Sequence, residues 1–241
     1  MRPVVLLALL LASCSDRLDG RTAPEWAAEM ADDKKGAAAL ARLEAHGTEA
    51  LDVLVAILGE GPVKARIQAA ALLARLGPEA SPAVPGLVEA LGAKDTGVRG
   101  MAAIALGRIG PAARTAIVPL DRLLGDRDVR VRVAACLAIH GITGDTSAAT
   151  RVLFDAFTSP DPDVRAMVAD AFDEVGMPIV GFLALSLKND DETTRVNAAK
   201  TLAAMGPGAA DARGALQDAL DDKSEAVRAA ASEALTRLDE R

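Results

Sequence analysis

At 241 residues the chain is long enough for one large domain or for a stack of small units, so length alone chooses neither. Hydrophobic residues make up 51% but aromatics only 2%, with no Tyr, which argues against a pleated core and for an all-helical chain. A net charge of -7, a pI near 5.0 and few rings to stack on bases count against a nucleic-acid partner, and two Cys, Cys14 and Cys136, supply neither a disulfide framework nor a four-thiolate zinc site.

The first element is not structural. Arg2 precedes an apolar run from Val4 to Ala12 that closes on Ser13-Cys14, the pattern of a secretory signal over residues 1–13. The run is shorter than the roughly 20 residues a transmembrane helix needs. Leu11-Ala12-Ser13-Cys14 resembles the lipobox of bacterial lipoproteins. That resemblance implies lipidation of Cys14 and a protein held at the bacterial envelope by its acyl chains, without a spanning helix. Ser15 stands where the sorting pattern of enteric bacteria places Asp on inner-membrane proteins, so the periplasmic side of the outer membrane is favoured. Residues 14–23 read as a polar, lipidated tether.

From there the chain repeats itself. Arg66, Arg99, Arg132, Arg165, Arg195 and Arg228 recur at spacings of 33, 33, 33, 30 and 33 residues. Three, seven and ten residues after each Arg stand apolar side chains, such as Ala102, Leu106 and Ile109 after Arg99. At 100° per residue these lie within about 60° of one another, which predicts one apolar stripe on a helix. Upstream, pairs four apart predict a preceding helix: Leu54 and Leu58, Leu87 and Leu91, Leu120 and Leu124, Leu153 and Phe157, Leu183 and Leu187, Leu216 and Leu220. Short polar turns separate the two helices, with Asp and Ser placed to cap the second. Gly77-Pro78, Gly110-Pro111 and Gly206-Pro207 predict where it stops, because Gly supplies a left-handed turn and Pro cannot continue a helix. Six hairpins follow, at about 48–79, 80–112, 113–145, 146–177, 178–208 and 209–241. A degenerate unit at 24–47 precedes them, with Trp26 and Met30 placed to cap the stack.

The run from Val98 to Gly110, Val-Arg-x-x-Ala-x-x-Ala-Leu-x-x-Ile-Gly, preceded by Pro85-Gly86-Leu87 and an Asp in the turn, resembles the HEAT repeat, in particular its short bacterial form found in bilin lyases. The resemblance covers nearly all of residues 24–241. It implies an all-α fold, a right-handed α-solenoid of about six to seven stacked helical hairpins. It says little of function, because such scaffolds host many roles.

The Arg column, Arg66, Arg99, Arg132, Arg165, Arg195 and Arg228, reads as structural rather than as an anion track. Asp95, Asp128, Asp161 and Asp191 stand four residues before their Arg, and the resemblance implies that such columns pair between neighbours as a ladder. Cys136 occupies a position that Ala70, Ala103, Ala169 and Ala199 fill elsewhere, so a small buried thiol is expected. Catalytic residues, metal site and cofactor are expected to be absent. His46 and His140 lack the following Glu that a HEAT-type di-iron hydroxylase needs, and Asp170, Asp173 and Glu174 read as a solvated helix face.

Opposite the core stripe, one, five and eight residues after each Arg, the early units carry Ile67, Ala71 and Ala74, then Gly100, Ile104 and Gly107, then Val133, Leu137 and His140. The later units carry charged residues there. HEAT stacks display their second helices on the concave face, so the resemblance implies a partner-binding groove through Ile67, Gly100, Ile104, Val133, Leu137 and His140, suited to an apolar helix or extended peptide. The expectation is therefore a non-catalytic, envelope-anchored scaffold for a protein or peptide partner, with no small-molecule substrate. An enzyme or enzyme-accessory role, or a passive spacer, stands as the alternative.

Overall fold

The computed structural model describes residues 17–145 and 179–239, with 152, 153, 156, 159, 161, 163, 164, 167, 168, 171 and 172 between them. Cys14, Arg165, Asp170, Asp173 and Glu174 lie outside the described residues. The chain divides after Ala148 into two compact units.

The first unit opens with a two-stranded antiparallel hairpin, β1 (Arg17–Leu18) and β2 (Arg21–Thr22), pairing Arg17 with Thr22 and Leu18 with Arg21. Asp19-Gly20 turns it, and both residues have positive φ, 53° and 74°, as a tight two-residue hairpin loop requires. A tether over 14–23 was the expectation, yet from Arg17 onward this segment is folded. Four helical pairs follow: α1 (Ala23–Ala31) with α2 (Gly36–His46), α3 (Leu51–Glu60) with α4 (Val63–Leu76), α5 (Val84–Ala90) with α6 (Thr96–Ile109), and α7 (Ile117–Leu123) with α8 (Val129–Thr143). The second helices α4, α6 and α8 stack side by side, each also packed on its own first helix. One continuous core runs from Ala23 to Ile142, and its largest members include Trp26, Met30, Leu54, Leu73, Leu87 and Leu106.

The second unit contains α9 (Ile179–Ser186), α10 (Glu192–Met205), α11 (Arg213–Asp218) and α12 (Glu225–Leu238), with α10 packed on α12. Ala198 and Leu202 on α10 and Ala231 and Leu238 on α12 are buried at the expected stripe positions, while Met205 and Leu235 are half-buried.

The local signals act as their chemistry dictates. Asp95 Oδ1 accepts from Val98 N–H at 3.0 Å, Asp128 Oδ1 from Arg130 N–H at 2.8 Å and Asp191 Oδ2 from Thr194 N–H at 2.7 Å, while Ser224 Oγ accepts from Val227 N–H at 3.4 Å. Gly77, Gly110 and Gly206 end α4, α6 and α10 at φ of 58°, 74° and 56°, and each opens a 3-10 segment leading into the next hairpin. Among the described residues one predicted core residue is displaced to the surface. Leu220 is exposed and Ala219 is buried in its place, because a 3-10 turn over Ala219–Asp221 follows α11, and three residues per turn carry the stripe from Leu216 to Ala219.

Candidate functional site

The Arg column forms inter-repeat contacts, but through other carboxylates than those expected. Arg99 Nε and Nη2 donate to Asp126 Oδ2 and Oδ1 at 2.9 and 3.0 Å, and its Nη1 donates to the carbonyls of Ala93 and Lys94. Arg195 repeats the arrangement with Asp222, at 2.7 and 3.0 Å, and with the carbonyls of Asn189 and Asp190. The pairing carboxylate thus stands six residues before the next Arg, not four. Asp95, Asp128 and Asp191 are engaged instead as helix caps, and Asp161 Oδ1 accepts from Asp163 N–H. The reason is geometric: a residue at the cap points into its own helix, whereas one two residues earlier in the turn reaches back to the preceding guanidinium. Arg66, Arg132 and Arg228 donate to carbonyls within their own repeat, at Leu58, Asp126 and Asp222 respectively.

Charge follows this geometry. Burial pushes the Asp126 carboxyl up, yet the Arg99 fork and the Asp128 N–H outweigh it and hold the group below the usual carboxylate value. For Asp222 the Arg195 fork is the largest influence and lowers it against burial, helped by Ser224 N–H.

The solvent face of the second helices also differs from the expected set. On α4, α6 and α8, residues one and eight after Arg66, Arg99 and Arg132 lie toward the seams between helices. A β-carbon on Gly97 would come 2.8 Å from Ile67 Cδ1, one on Gly100 would lie 3.8 Å from Val131, and one on Gly107 would fall 2.8 Å from Ala138 Cα. Ile67 and Gly100 are half-buried, and Val133 is only 1% exposed, so Val133 is unavailable to a partner. His140 is half-buried with its Nδ1 sealed from solvent. The face that points to solvent runs through the residues two before, five after and nine after Arg66, Arg99 and Arg132, with Gly97 and Gly141 at its edges against the neighbouring helix. On α4 these are Lys64, Ala71 and Arg75; on α6, Gly97, Ile104 and Arg108; on α8, Arg130, Leu137 and Gly141. All except Ala71 and Leu137, which are half-buried, are exposed, and Ile104 is 39% exposed. A sign of this lay in the sequence: Ala65, Val98 and Val131, one before each Arg, are also apolar and buried, which turns the core stripe and its opposite face. The same positions in the second unit hold Thr193, Lys200 and Ala204, then Ala226, Glu233 and Arg237.

At the N-terminal end the hairpin closes over α1. Trp26 is fully buried, its Nε1 donates to the Leu18 carbonyl at 3.1 Å, and the Arg21 and Arg42 guanidinium groups lie 5.1 and 5.0 Å from its ring centroid. Asp19 is held by Arg42 at 2.7 Å and His46 at 3.2 Å, which lowers its pKa and raises that of His46. A cleft of about 330 Å³ beside α2 is lined by Leu43, Leu54, Leu72 and the Glu44–Arg75 ion pair. Among the described residues no three of His, Cys, Asp or Glu gather as metal ligands. Cys136 is buried, with Sγ 3.1 Å from the Val133 carbonyl.

Stacked helical hairpins, small residues at the seams and a guanidinium-carboxylate link between successive turns define an α-helical repeat scaffold. The sequence matches the family model for HEAT repeats over residues 51–128 and 179–241, and the chain belongs to that family. YibA of Escherichia coli shares the fold with a TM-score of 0.55 at 20% identity, over 96% of this chain and 85% of its own. Kap95p, in a structure of its binding to RanGDP, matches with a TM-score of 0.54 at 14% identity, over 88% of this chain and 33% of its own. No curated protein matches the sequence.

Proposed function

We propose that this protein is a non-catalytic scaffold, anchored to the bacterial envelope by lipid on Cys14, that takes a protein partner on the solvent face of its second helices around Ile104. HEAT and armadillo-like folds commonly mediate protein-protein interaction. The observation that carries the reading is the apolar centre of that face, where Ala71, Ile104 and Leu137 occupy equivalent positions on α4, α6 and α8 and Ile104 is open to water. The lipobox at Leu11 to Cys14 supports the anchor. With two residues between Cys14 and the docked hairpin, at most about 3.5 Å each, the repeats would be held close to the bilayer.

Affinity capture from detergent-solubilised envelopes tests the reading, comparing wild type with a doubly substituted Ile104→Glu, Leu137→Glu chain of unchanged helicity. A partner captured by wild type and lost in the variant is the expected result. A partner retained by both moves the site elsewhere, and no partner from either removes the scaffold reading.

A further inference from the structure

The seams between second helices are not alike. Three residues before the glycine that ends each helix stand Ala74 on α4, Gly107 on α6 and Ala203 on α10. Six residues after the Arg of the next second helix stand Ala105, Ala138 and Ala234. Small residues on both sides let the helices close. A β-carbon on Gly107 would fall 2.8 Å from Ala138 Cα, and one on Gly77, Gly110 or Gly206 would lie 3.5, 3.7 or 3.7 Å from the carbonyl oxygen of Arg108, Gly141 or Arg237. Between α2 and α4 the same two positions hold Glu44 and Leu72, and a β-carbon on Gly47 would meet nothing within 4 Å. Two large side chains at this seam keep the end of α2 off α4. The space left is the cleft of about 330 Å³, lined by Leu43, Leu54, Leu72 and Leu76, whose two charged lining residues, Glu44 and Arg75, pair with each other. An open apolar space forfeits contacts that the tighter seams make.

We propose that this cleft shelters one acyl chain of the lipid on Cys14. This rests on the lipid-anchor reading and gives the lipid a second place to go. The lining is aliphatic and its charges are already paired, so it suits a ligand without polar atoms. A dry apolar cavity of roughly 150 Å³ holds a benzene ring, so about 330 Å³ takes on the order of a dozen carbons, more than any one protein side chain brings and close to a fatty acyl chain. Covalent geometry supplies the chain. Asp19 is held by Arg42 and His46, which neighbour the cleft residues Leu43 and Gly47 in sequence. Five residues of backbone then place Cys14 within at most about 17 Å of Asp19. One chain in the cleft leaves its companions on the same lipid in the bilayer, so the α2 end of the repeats is held at the membrane.

The test is photo-cross-linking in whole cells fed a palmitate analogue that carries a diazirine, followed by mass spectrometry of the purified full chain. The expected result is lipid on Cys14 cross-linked to the peptides that contain Leu43, Leu72 or Leu76. Glu44→Ala combined with Leu72→Ala, the small pair of the tighter seams, should close the cleft and lose that cross-link while keeping the lipid and the helical content. If the double variant does not fold, Cys14→Ser protein with its cleft intact must bind cis-parinaric acid, and failure to bind overturns the proposal. Lipid found on Cys14 but cross-linked only to the bilayer or to other parts of the chain overturns the proposal and leaves the anchor standing. Equal cross-linking of the cleft in Cys14→Ser cells shows that the chain comes from other lipids, which also overturns it. Absence of lipid from Cys14 removes the anchor reading and this proposal with it.

Discussion

Arg195 is 3% exposed and spends four of its donors on a carboxylate of the next repeat and two carbonyls of its own turn. Removing it leaves Asp222 without its fork and two carbonyls without donors. Arg195→Ala is therefore expected to cost about 2 kcal/mol in chemical denaturation, and Arg228→Ala, which loses only a carbonyl bond in the described contacts, less than half of that. Equal losses would show that the inter-repeat pair contributes nothing of its own. Because the folded pKa values of Asp126 and Asp222 lie below the ordinary value, their contribution is full above about pH 4 and disappears as pH falls through the folded values. Acid titration of stability in Asp222→Asn should be flatter there than in wild type. The Arg positions were legible from their spacing alone. Their partners were not, because two Asp share the turn from Gly125 to Asp128 and only the path of the backbone decides that Asp128 caps while Asp126 reaches back.

Two local features at the element scale make separate predictions. The hairpin is latched to α2 through Asp19, and His46 carries part of that latch. His46 has a raised pKa, so its contribution is present below about pH 6.5 and is lost as pH rises through the folded value. Asp19 has a lowered pKa, so its contribution is present above about pH 4 and is lost as pH falls through its own folded value. The latch is firmest in mildly acidic solution. Trp26 is the chain's one Trp, so its fluorescence should report looser docking as pH rises from about 5.5 to 8, and His46→Gln should abolish that change. The second feature is the crossing of α6 and α8, where a β-carbon on Gly141 would lie 2.7 Å from the Gly107 carbonyl oxygen. Backbone cannot swing aside as a side chain can. Gly141→Ala is expected to cost about 1 to 3 kcal/mol despite the higher helix propensity of Ala, and unchanged thermal stability would contradict this packing.

For the whole molecule, the proposed function assigns the repeat array a binding surface and the N-terminal segment a location. If Cys14 carries the anchor, Cys14→Ser protein should fail to incorporate labelled palmitate and should leave the membrane fraction on cell fractionation with its helical content intact. Membrane retention of that variant would remove the lipid anchor from the account. One repeat motif can carry distinct surfaces, since the seam and core positions repeat while the solvent positions vary.

The sequence by itself determined the helical class, the hairpin repeat, the Gly stops and Asp caps, and the Arg column. Each of these depends on neighbours within a turn or two of helix, where spacing and residue type suffice. Only the tertiary structure decided that the hairpin covers Trp26, that Asp126 and Asp222 form the inter-repeat pairs, and that Val133 is buried while Lys64, Arg108 and Arg130 flank the open face. Those outcomes depend on the angle and distance at which one helix meets the next. A helical wheel shows which side of a helix is apolar, but the neighbour that closes over its edges is fixed by packing between repeats.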